Sequence, residues 1–332
     1  MLPDLTLPPS LLALLACFQP LFTAPSFRTF CTLAAGFLAQ TGRRTVCGML
    51  TGAGLAGVWR HDRAHRFFSC ARWESHALGL ALARLVVALL VPAGQPVTVA
   101  IDDTLFKRRG PKVHAIGWFH DGSAAGPRPV GLGNNWVIAA IVVRVPFLSR
   151  PVALPVLAKL VHKDVKPAPA SPLVLARQMA AALAGALPGR HIQVVADAAY
   201  AGKELARLPT TVTWTTRLRK DAALFELPPP RTGRRGRPRV KGSRLPSLTA
   251  LAATASFTPV TVRRYGRTAT GHAAVITCLW HGVFGARPAQ VVLIREHAGK
   301  SYDLALATTD LTATPAQVIE RYASRWSTLK SR

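Results

Sequence analysis

The sequence is poor in acidic residues. Asp and Glu total 15 against 42 Lys and Arg, which gives the 332-residue chain a formal net charge of +27. An excess of this size favours a polyanionic partner, with nucleic acid ahead of an anionic membrane surface. A ribosome-associated or merely basic protein is the alternative. Because carboxylates are so scarce, those that stand at strand ends are more informative than usual.

Cysteine is also scarce, and its spacing bears on two ways of stabilising a fold. The count is odd and no C-x-x-C pair occurs, which argues against a disulfide framework and against a zinc site. We expect buried thiols in a reducing compartment. The five positions are Cys17, Cys31, Cys47, Cys70 and Cys278.

Apolar runs long enough to cross a membrane are lacking. The stretch 11–22 has no basic residue before it, which argues against a signal peptide. The stretch 77–91 is short and is interrupted by Arg84, whereas a spanning helix needs about 20 apolar residues. We therefore expect no membrane partner.

The composition and hydrophobic pattern of the sequence predict four regions. Residues 1–95 contain apolar helical segments separated by basic residues, which predicts a helical DNA-binding domain, with a solvated basic face as the alternative. Residues 96–218 alternate β-branched runs with helical segments, which is typical of an α/β core with a mixed sheet. We assign 219–285 to a β-rich insertion with a basic loop. Residues 286–332 return to the core and end in a helix that starts at Pro315 after the N-cap Thr314.

Carboxylates follow two of the predicted strands. Asp102 and Asp103 follow the run 97–101, and Asp197 follows the run 192–196. Carboxylates at adjacent strand ends can share Mg²⁺, which prefers oxygen ligands. Two such ions about 3.5–4 Å apart can stabilise the attacking and leaving oxygens of phosphoryl transfer. A cap or turn role is the alternative for a single strand-end Asp.

Several short motifs follow one another along the chain. The two Asp motifs are Ile-Asp-Asp-Thr at 101–104 and Val-Ala-Asp-Ala-Ala-Tyr at 195–200; segments 42–46 and 67–73 precede them, and Tyr322, Arg325 and Trp326 follow them. This ordered set resembles the insertion-sequence transposases of the DDE class, in the subgroup with a Tyr-Arg-Glu-Lys signature. The two early segments resemble N-terminal parts of that family, and the last three residues resemble the start of its third motif. No single motif is specific, but together they cover most of the chain in the right order.

The resemblance implies a fold, a cofactor and a partner. The fold would be a ribonuclease-H-like mixed sheet with flanking helices, beside the helical domain and the β-rich insertion. The activity would be metal-dependent cleavage and transfer of DNA strands with Mg²⁺ at a two-metal site. Double-stranded DNA, as element ends and target, would be the partner, with a homodimer on DNA compatible with it. A bacterial, cytoplasmic and nucleoid-associated location follows from the same resemblance.

The resemblance also assigns roles to residues. Asp102 and Asp197 would be the catalytic metal ligands, and the family pattern Asp-x-Thr favours Asp102 over Asp103. Tyr322 and Arg325 would contact DNA phosphate near the cleavage point.

The sequence departs from the signature at its third carboxylate. The family has Glu four residues after the Arg, where this sequence has Leu329, and its Lys would fall past residue 332. Glu320 would lie roughly 13 Å from that position, on the opposite face of a helix. We therefore expect a truncated transposase with impaired catalysis. The alternatives are a non-catalytic DNA-binding remnant that inhibits an intact copy, and an unrelated ribonuclease-H-like nuclease that uses only the two Asp residues.

Basic residues outside the acidic motifs predict further DNA contacts. Arg235 and Arg237 lie in an Arg-Gly-Arg-Pro motif that resembles the core of an AT-hook. Narrow A·T minor grooves concentrate negative potential and attract Arg. Lys107 and Arg108, shortly after the first acidic motif, are predicted to hold phosphate beside the metals. A solvated basic loop is the alternative for the Arg-rich motif.

Overall fold

The computed structural model describes residues 7–42, 44–122, 124, 127, 129–163, 170–230, 238–297 and 299–325. Its contacts divide the chain into Met1–Leu85, which we call the helical unit, and Val86–Arg332, which we call the sheet unit. Arg235, Arg237 and Leu329 lie outside the described residues.

The first five helices begin in the helical unit. They are α1 Pro9–Ala16, α2 Ala24–Ala39, α3 Val46–Gly52, α4 His61–Ser69 and α5 Ser75–Leu90, the last of which runs past the end of the unit.

Helices α2 and α3 cross at unusually close range. A Cβ on Gly36 would lie 1.8 Å from the carbonyl oxygen of Met49, and a Cβ on Gly52 would lie 2.4 Å from that of Gly36. Only glycine permits this approach, because any larger residue would meet rigid backbone. Thr45 then begins α3 by accepting a hydrogen bond from the backbone N–H of Gly48.

The core of the helical unit is aromatic and aliphatic. The Phe67 and Trp73 rings stack with centroids 5.3 Å apart, and the Trp73 indole donates to the carbonyl of Phe67. The buried members of this core are Leu33, Leu50, Ala53, Leu55, Trp59, Ala64 and Phe67.

Ten strands of the described chain form one sheet. The strand order is β2-β3-β1-β5-β6-β10-β9-β8-β7, with β4 paired to β3. Their bounds are β1 Val97–Lys107, β2 Gly117–His120, β3 Val130–Val143, β4 Val152–Leu160, β5 Ile192–Ala196, β6 Val212–Arg217, β7 Thr258–Arg264, β8 Arg267–Cys278, β9 Ala289–Arg295 and β10 Leu304–Thr308.

The centre of the sheet is a ribonuclease-H-like arrangement. Strands β1, β3 and β4 pair antiparallel, and β1, β5 and β6 pair parallel. Every residue of β5 is buried, which explains why its sequence is apolar except for Gln193 and shows no polar–apolar alternation. The predicted α/β class with a mixed sheet is therefore confirmed.

The remaining helices belong to the sheet unit. They are α6 Pro172–Ala186, α7 Leu248–Thr254, α8 His281–Phe284 and α9 Pro315–Ser324. Thr314 begins α9 with a full capping box together with Gln317, as the sequence predicted for its N-cap. Strands β7 and β8, which the sequence assigned to an insertion, hydrogen-bond onto β9 and so extend the same sheet. The four-region division itself stays a prediction.

Two predictions from composition can be compared with the structure. No helix among the described residues combines the length and the apolar character needed to cross a membrane. The prediction of buried thiols was wrong for Cys17, Cys47 and Cys70, which are exposed, and holds for Cys31 and Cys278. Burial raises the pKa of the Cys278 thiol to about 11.

Candidate active site

Two neighbouring parallel strands bring Asp102 and Asp197 together. Ile101 on β1 is in register with Ala196 on β5. Asp102 directly follows Ile101, and Asp197 directly follows Ala196. The Oδ2 atoms of Asp102 and Asp197 lie 3.3 and 3.6 Å from the same atom, Nη1 of Arg325. The two oxygens therefore cannot be farther apart than the sum of these distances. The expected adjacency is confirmed, while the metal-binding role stays a prediction.

Both carboxylates are oriented in the same way. Asp102 Oδ1 accepts a hydrogen bond from the backbone N–H of Asp103 at 3.0 Å. Asp197 Oδ1 accepts one from the backbone N–H of Ala198 at 2.5 Å. Thr216 on β6 also donates its hydroxyl to the carbonyl oxygen of Asp197 at 2.9 Å. One oxygen of each carboxylate is thus tied to the backbone, and the other faces the shared guanidinium.

Helix α9 carries Arg325 to this position. Val318, Ile319 and Tyr322 pack into the hydrophobic core formed with β7–β10. The side chain of Arg325, which directly follows α9, is only 7% exposed. Its guanidinium carbon lies 5.3 Å from the centre of the Tyr322 ring. In this structure the predicted phosphate-binding pair is therefore buried against the acidic pair.

Glu320 faces a different part of the sheet. Its Oε1 accepts a hydrogen bond from the backbone N–H of Arg263 on β7 at 2.6 Å. This supports the expectation that Glu320 does not serve as the third carboxylate. Within the described residues no other His, Cys or carboxylate joins Asp102 and Asp197 in a compact ligand group.

Burial shifts the pKa of two residues at this site, Asp102 and Tyr322. It raises the pKa of Asp102, while the positive charge of Arg325 acts in the opposite direction. Burial likewise raises the pKa of Tyr322. Asp197 is the more open of the two carboxylates, with its side chain 45% exposed against 29% for Asp102.

Asp103 has a separate set of partners. Its Oδ2 accepts a hydrogen bond from Asn135 Nδ2 at 2.9 Å, and its Oδ1 accepts one from the Tyr200 hydroxyl at 3.2 Å. Successive side chains of a strand point to opposite faces, which explains why Asp102 and Asp103 have different neighbours. Burial, together with the negative charge of Asp103, raises the pKa of Tyr200. The Tyr200 hydroxyl therefore stays protonated and acts as the hydrogen-bond donor to Asp103. Sequence reasoning did not assign a role to Asn135 or Tyr200.

A basic cleft of about 290 Å³ opens beside Asp197. Tyr265 and Gly266 both have positive φ, at 54° and 78°, as a two-residue hairpin turn between β7 and β8 requires. Arg264, just before this turn, forms an ion pair with Glu296 at 2.7 Å. The residues of the cleft that carry charge or a phenol are Asp197, Arg217, Arg264, Tyr265, Tyr322 and Arg325.

Lys107 and Arg108 do not lie beside the acidic pair. β1 continues to Lys107, which at about 3.4 Å per residue puts its Cα roughly 17 Å from that of Asp102. Lys107 Nζ forms an ion pair with the buried Asp121 at 2.7 Å. The predicted location was therefore wrong, because the sequence did not reveal how far the strand extends. Their contact with DNA stays a prediction.

The donor set fits a hard divalent cation. Two carboxylate oxygens face the same cationic nitrogen, so the fold already stabilises positive charge between them. Mg²⁺ is commonly held by one or two carboxylates and several waters. Asp102 and Asp197 are the residues that would hold it.

Comparison with known proteins agrees with this geometry. No curated protein matches the chain. A family model described as DDE superfamily endonuclease matches residues 17–280. The matched segment is most of the chain and contains both Asp102 and Asp197. The chain belongs to the DDE superfamily endonucleases.

Proposed function

We propose that this protein is an insertion-sequence transposase, which cleaves DNA at the ends of an element and joins them to target DNA. The observation that carries the proposal is the convergence of Asp102 and Asp197 on Arg325, just past the last residue pair of the parallel β1–β5 ladder. Membership of the DDE superfamily endonucleases supports a nuclease or transposase in general. The ordered motifs of the sequence support the narrower assignment.

Asp102 and Asp197 would hold Mg²⁺ through their Oδ2 atoms. A divalent cation there would supply charge stabilisation for phosphoryl transfer and would lower the pKa of a bound water. Water would attack the scissile phosphodiester and break its P–O3′ bond, which leaves a 5′-phosphate and a free 3′-hydroxyl. That hydroxyl would then attack a phosphodiester of the target, form a new P–O bond and displace the 3′-oxygen of the target strand as a hydroxyl. The backbone bonds to each Oδ1 keep the two ligand oxygens aimed at a common point.

The basic residues of the cleft would hold the DNA strand. Arg325 presents a guanidinium with several N–H donors, which suits bidentate binding of phosphate. Arg217 and Arg264 line the same cleft. We infer that Arg325 exchanges its carboxylate partners for DNA phosphate when the metal and the strand bind, with Tyr322 supporting its guanidinium.

The residue at position 329 bears on how fast this protein would cleave DNA. It stands where the resembled signature has its third carboxylate, and an apolar side chain cannot ligate Mg²⁺. We infer slow strand cleavage, because incomplete metal ligation removes part of the transition-state stabilisation. The presence of Leu329 in place of the signature's Glu also favours a second candidate function, a DNA-binding protein that occupies element ends without cutting them.

A gain-of-function assay tests the proposal. The assay measures nicking of a duplex that carries the element's end, with Mg²⁺ or Mn²⁺ present. We expect Leu329→Glu to nick at least about 100-fold faster than the parent sequence, since losses of roughly 3–4 kcal/mol correspond to factors of 10² to 10³. Leu329→Gln is the matched control, because it adds a polar side chain of similar size without the charge.

Equal activity of the Glu and Gln variants would contradict the role given to position 329. Fast nicking by the parent sequence that disappears in Asp102→Ala would show that another residue supplies the third carboxylate. Absence of nicking in every variant, with DNA binding retained, would favour the non-catalytic function.

DNA binding has its own test. With several phosphates neutralised, affinity for duplex DNA should fall by orders of magnitude between roughly 50 and 200 mM salt. Replacing Arg235 and Arg237 with Ala should weaken binding to A·T-rich duplexes most. Gel-shift titration measures both effects, and analytical ultracentrifugation of the complex tests for a homodimer. A flat salt dependence would contradict phosphate binding, and equal losses on G·C-rich DNA would contradict minor-groove recognition.

A further inference from the structure

Three metal-ligating side chains meet on the surface of the helical unit. Cys47 Sγ on α3 lies 4.0 Å from His65 Nε2 on α4. The imidazole rings of His61 and His65 have centroids 4.3 Å apart. One ligand atom from each of the three residues lies within 4.8 Å of the other two, and all three residues are exposed. An ion from solvent can therefore reach the cluster directly.

The local fold explains why these residues meet. His61 and His65 are one helical turn apart, so they lie on the same face of α4. Cys47 is in the first turn of α3, whose start is fixed by the Thr45 cap. The close crossing of α2 and α3 at Gly36 fixes the position of α3 against α2. The meeting thus depends on how α3 and α4 pack, and not on a short-range sequence motif.

We propose that Cys47, His61 and His65 bind one Zn²⁺ and so link α3 to α4. Tetrahedral Zn²⁺ with a Zn–S bond of about 2.3 Å and a Zn–N bond of about 2.05 Å places S and N roughly 3.6 Å apart. The observed 4.0 Å is only a few tenths of an ångström longer, which rotation of exposed side chains can close. A thiolate with two imidazoles suits Zn²⁺ and not Mg²⁺ or Ca²⁺.

The chemistry of binding is simple. Cys47 would lose its proton to solvent and bind as the thiolate, and both histidines would bind as neutral imidazoles. Among the described residues no further His, Cys or carboxylate joins the cluster, so the fourth position would carry water. Binding to the folded state alone stabilises it in proportion to the logarithm of the ligand concentration. The site would therefore stabilise the packing of α3 on α4.

The test uses the full chain, purified without a histidine tag, with Co²⁺ and Zn²⁺ as probes. Co²⁺ bound to a thiolate gives a near-ultraviolet charge-transfer band that oxygen ligands such as Asp102 and Asp197 do not give. We expect this band to appear and to saturate at one Co²⁺ per chain. Addition of Zn²⁺ should abolish it by displacement and should slow hydrogen exchange in 46–52 and 61–69.

Single substitutions identify the ligands. Cys47→Ser should remove the band, and His65→Asn should weaken Zn²⁺ binding at least about 10-fold, since even outer-shell changes cost 10- to 100-fold in affinity. Cys17→Ser is the matched control, because Cys17 is exposed in the same unit. It should leave the band unchanged. Absence of the band in the parent chain would overturn the proposal, as would its persistence in Cys47→Ser.

Discussion

The two units present their proposed metal-binding side chains in opposite ways. In the sheet unit, Asp102 and Asp197 are hard oxygen donors that directly follow the last residue pair of the β1–β5 ladder, and backbone N–H groups hold one oxygen of each. In the helical unit, Cys47, His61 and His65 are softer donors on exposed faces of two short helices. The first pair is fixed by strand register, whereas the second cluster is fixed by the packing of whole helices.

This difference determines what each site tolerates. A ladder of hydrogen bonds runs along β1, β5 and β6, so the position of either aspartate is specified many times over. Helix α3 has seven residues and relies on its cap and on the contact at Gly36. Changes in packing should therefore disturb the helical cluster far more than the acidic pair.

The largest expected effect is at the acidic pair. In the Leu329→Glu background, Asp102→Asn should reduce nicking at least about 10³-fold, because the metal contributes several kcal/mol of stabilisation. Asp103→Asn is the matched control and should lose no more than about 10-fold, since Asp103 serves Asn135 and Tyr200. The readout is nicking rate with Mn²⁺. The reverse order of effects would make Asp103 the ligand.

A packing substitution tests the weaker fixation of the helical cluster. Gly36→Ala should destabilise the helical unit by about 1–3 kcal/mol or more, because the new Cβ would collide with the Met49 carbonyl. Gly57→Ala is the matched control, since a Cβ there meets nothing within 4 Å. Hydrogen exchange followed by mass spectrometry measures both units separately. Equal protection of 24–52 in the two variants would contradict the close crossing.

Metal titrations separate the two sites directly. Cys47→Ser should lower Zn²⁺ affinity at least about 10-fold and leave Mn²⁺ binding within about twofold, since independent sites behave additively. Asp102→Asn should weaken Mn²⁺ binding and leave Zn²⁺ affinity within about twofold. Paramagnetic resonance of bound Mn²⁺ and Co²⁺ spectra give the two readouts. If either variant weakened both ions equally, the two clusters would not be independent sites.

The smallest effect concerns a loop anchor in the sheet unit. Asp303 accepts hydrogen bonds from the backbone N–H groups of Glu296 and His297, and these bonds lower its pKa. A lowered pKa contributes stability above the ordinary Asp value, and this stability is lost as pH falls. Asp303→Asn should therefore cost about 1 kcal/mol at pH 7, and the difference should shrink below about pH 4.

Urea unfolding at several pH values measures the effect of Asp303→Asn, with the exposed Asp221→Asn as control. A difference from the parent chain that does not change with pH would contradict the anchoring role. Metal binding at the two proposed sites should be unaffected, which makes this variant a reference for the larger effects.

Several elements could be predicted because their signals are local. The strand 192–196 is apolar except for Gln193, and the helix at Pro315 has an N-cap and a first-turn proline. The short strand Gly117–His120 and the helix Leu248–Thr254 were not predicted. Their sequences carry little periodicity, and pairing with β3 and packing of Leu248 and Ala252 stabilise them instead.

The acidic pair shows the same division. The sequence identified Asp102, Asp103 and Asp197 because carboxylates are rare and these three follow predicted strands. The predicted strand end was wrong for Asp102 and Asp103, which lie within β1, and holds for Asp197. Only the structure showed that Asp102 contacts Arg325 whereas Asp103 contacts Asn135 and Tyr200. The partners of a strand residue depend on which elements pack against each face of the sheet, and the local sequence does not reveal this. Arg217 and Arg264 could not be predicted, because the cleft joins elements that are distant in the chain.

The sequence by itself determined the fold class, the basic character and the carboxylates, because composition, local periodicity and strand-end position are properties of neighbouring residues. The tertiary structure decided that Arg325 reaches both aspartates, that Lys107 lies far along β1, and that Cys47 meets His61 and His65. The physical reason is that each of these contacts depends on packing and strand extent, which distant segments set and local patterns do not encode.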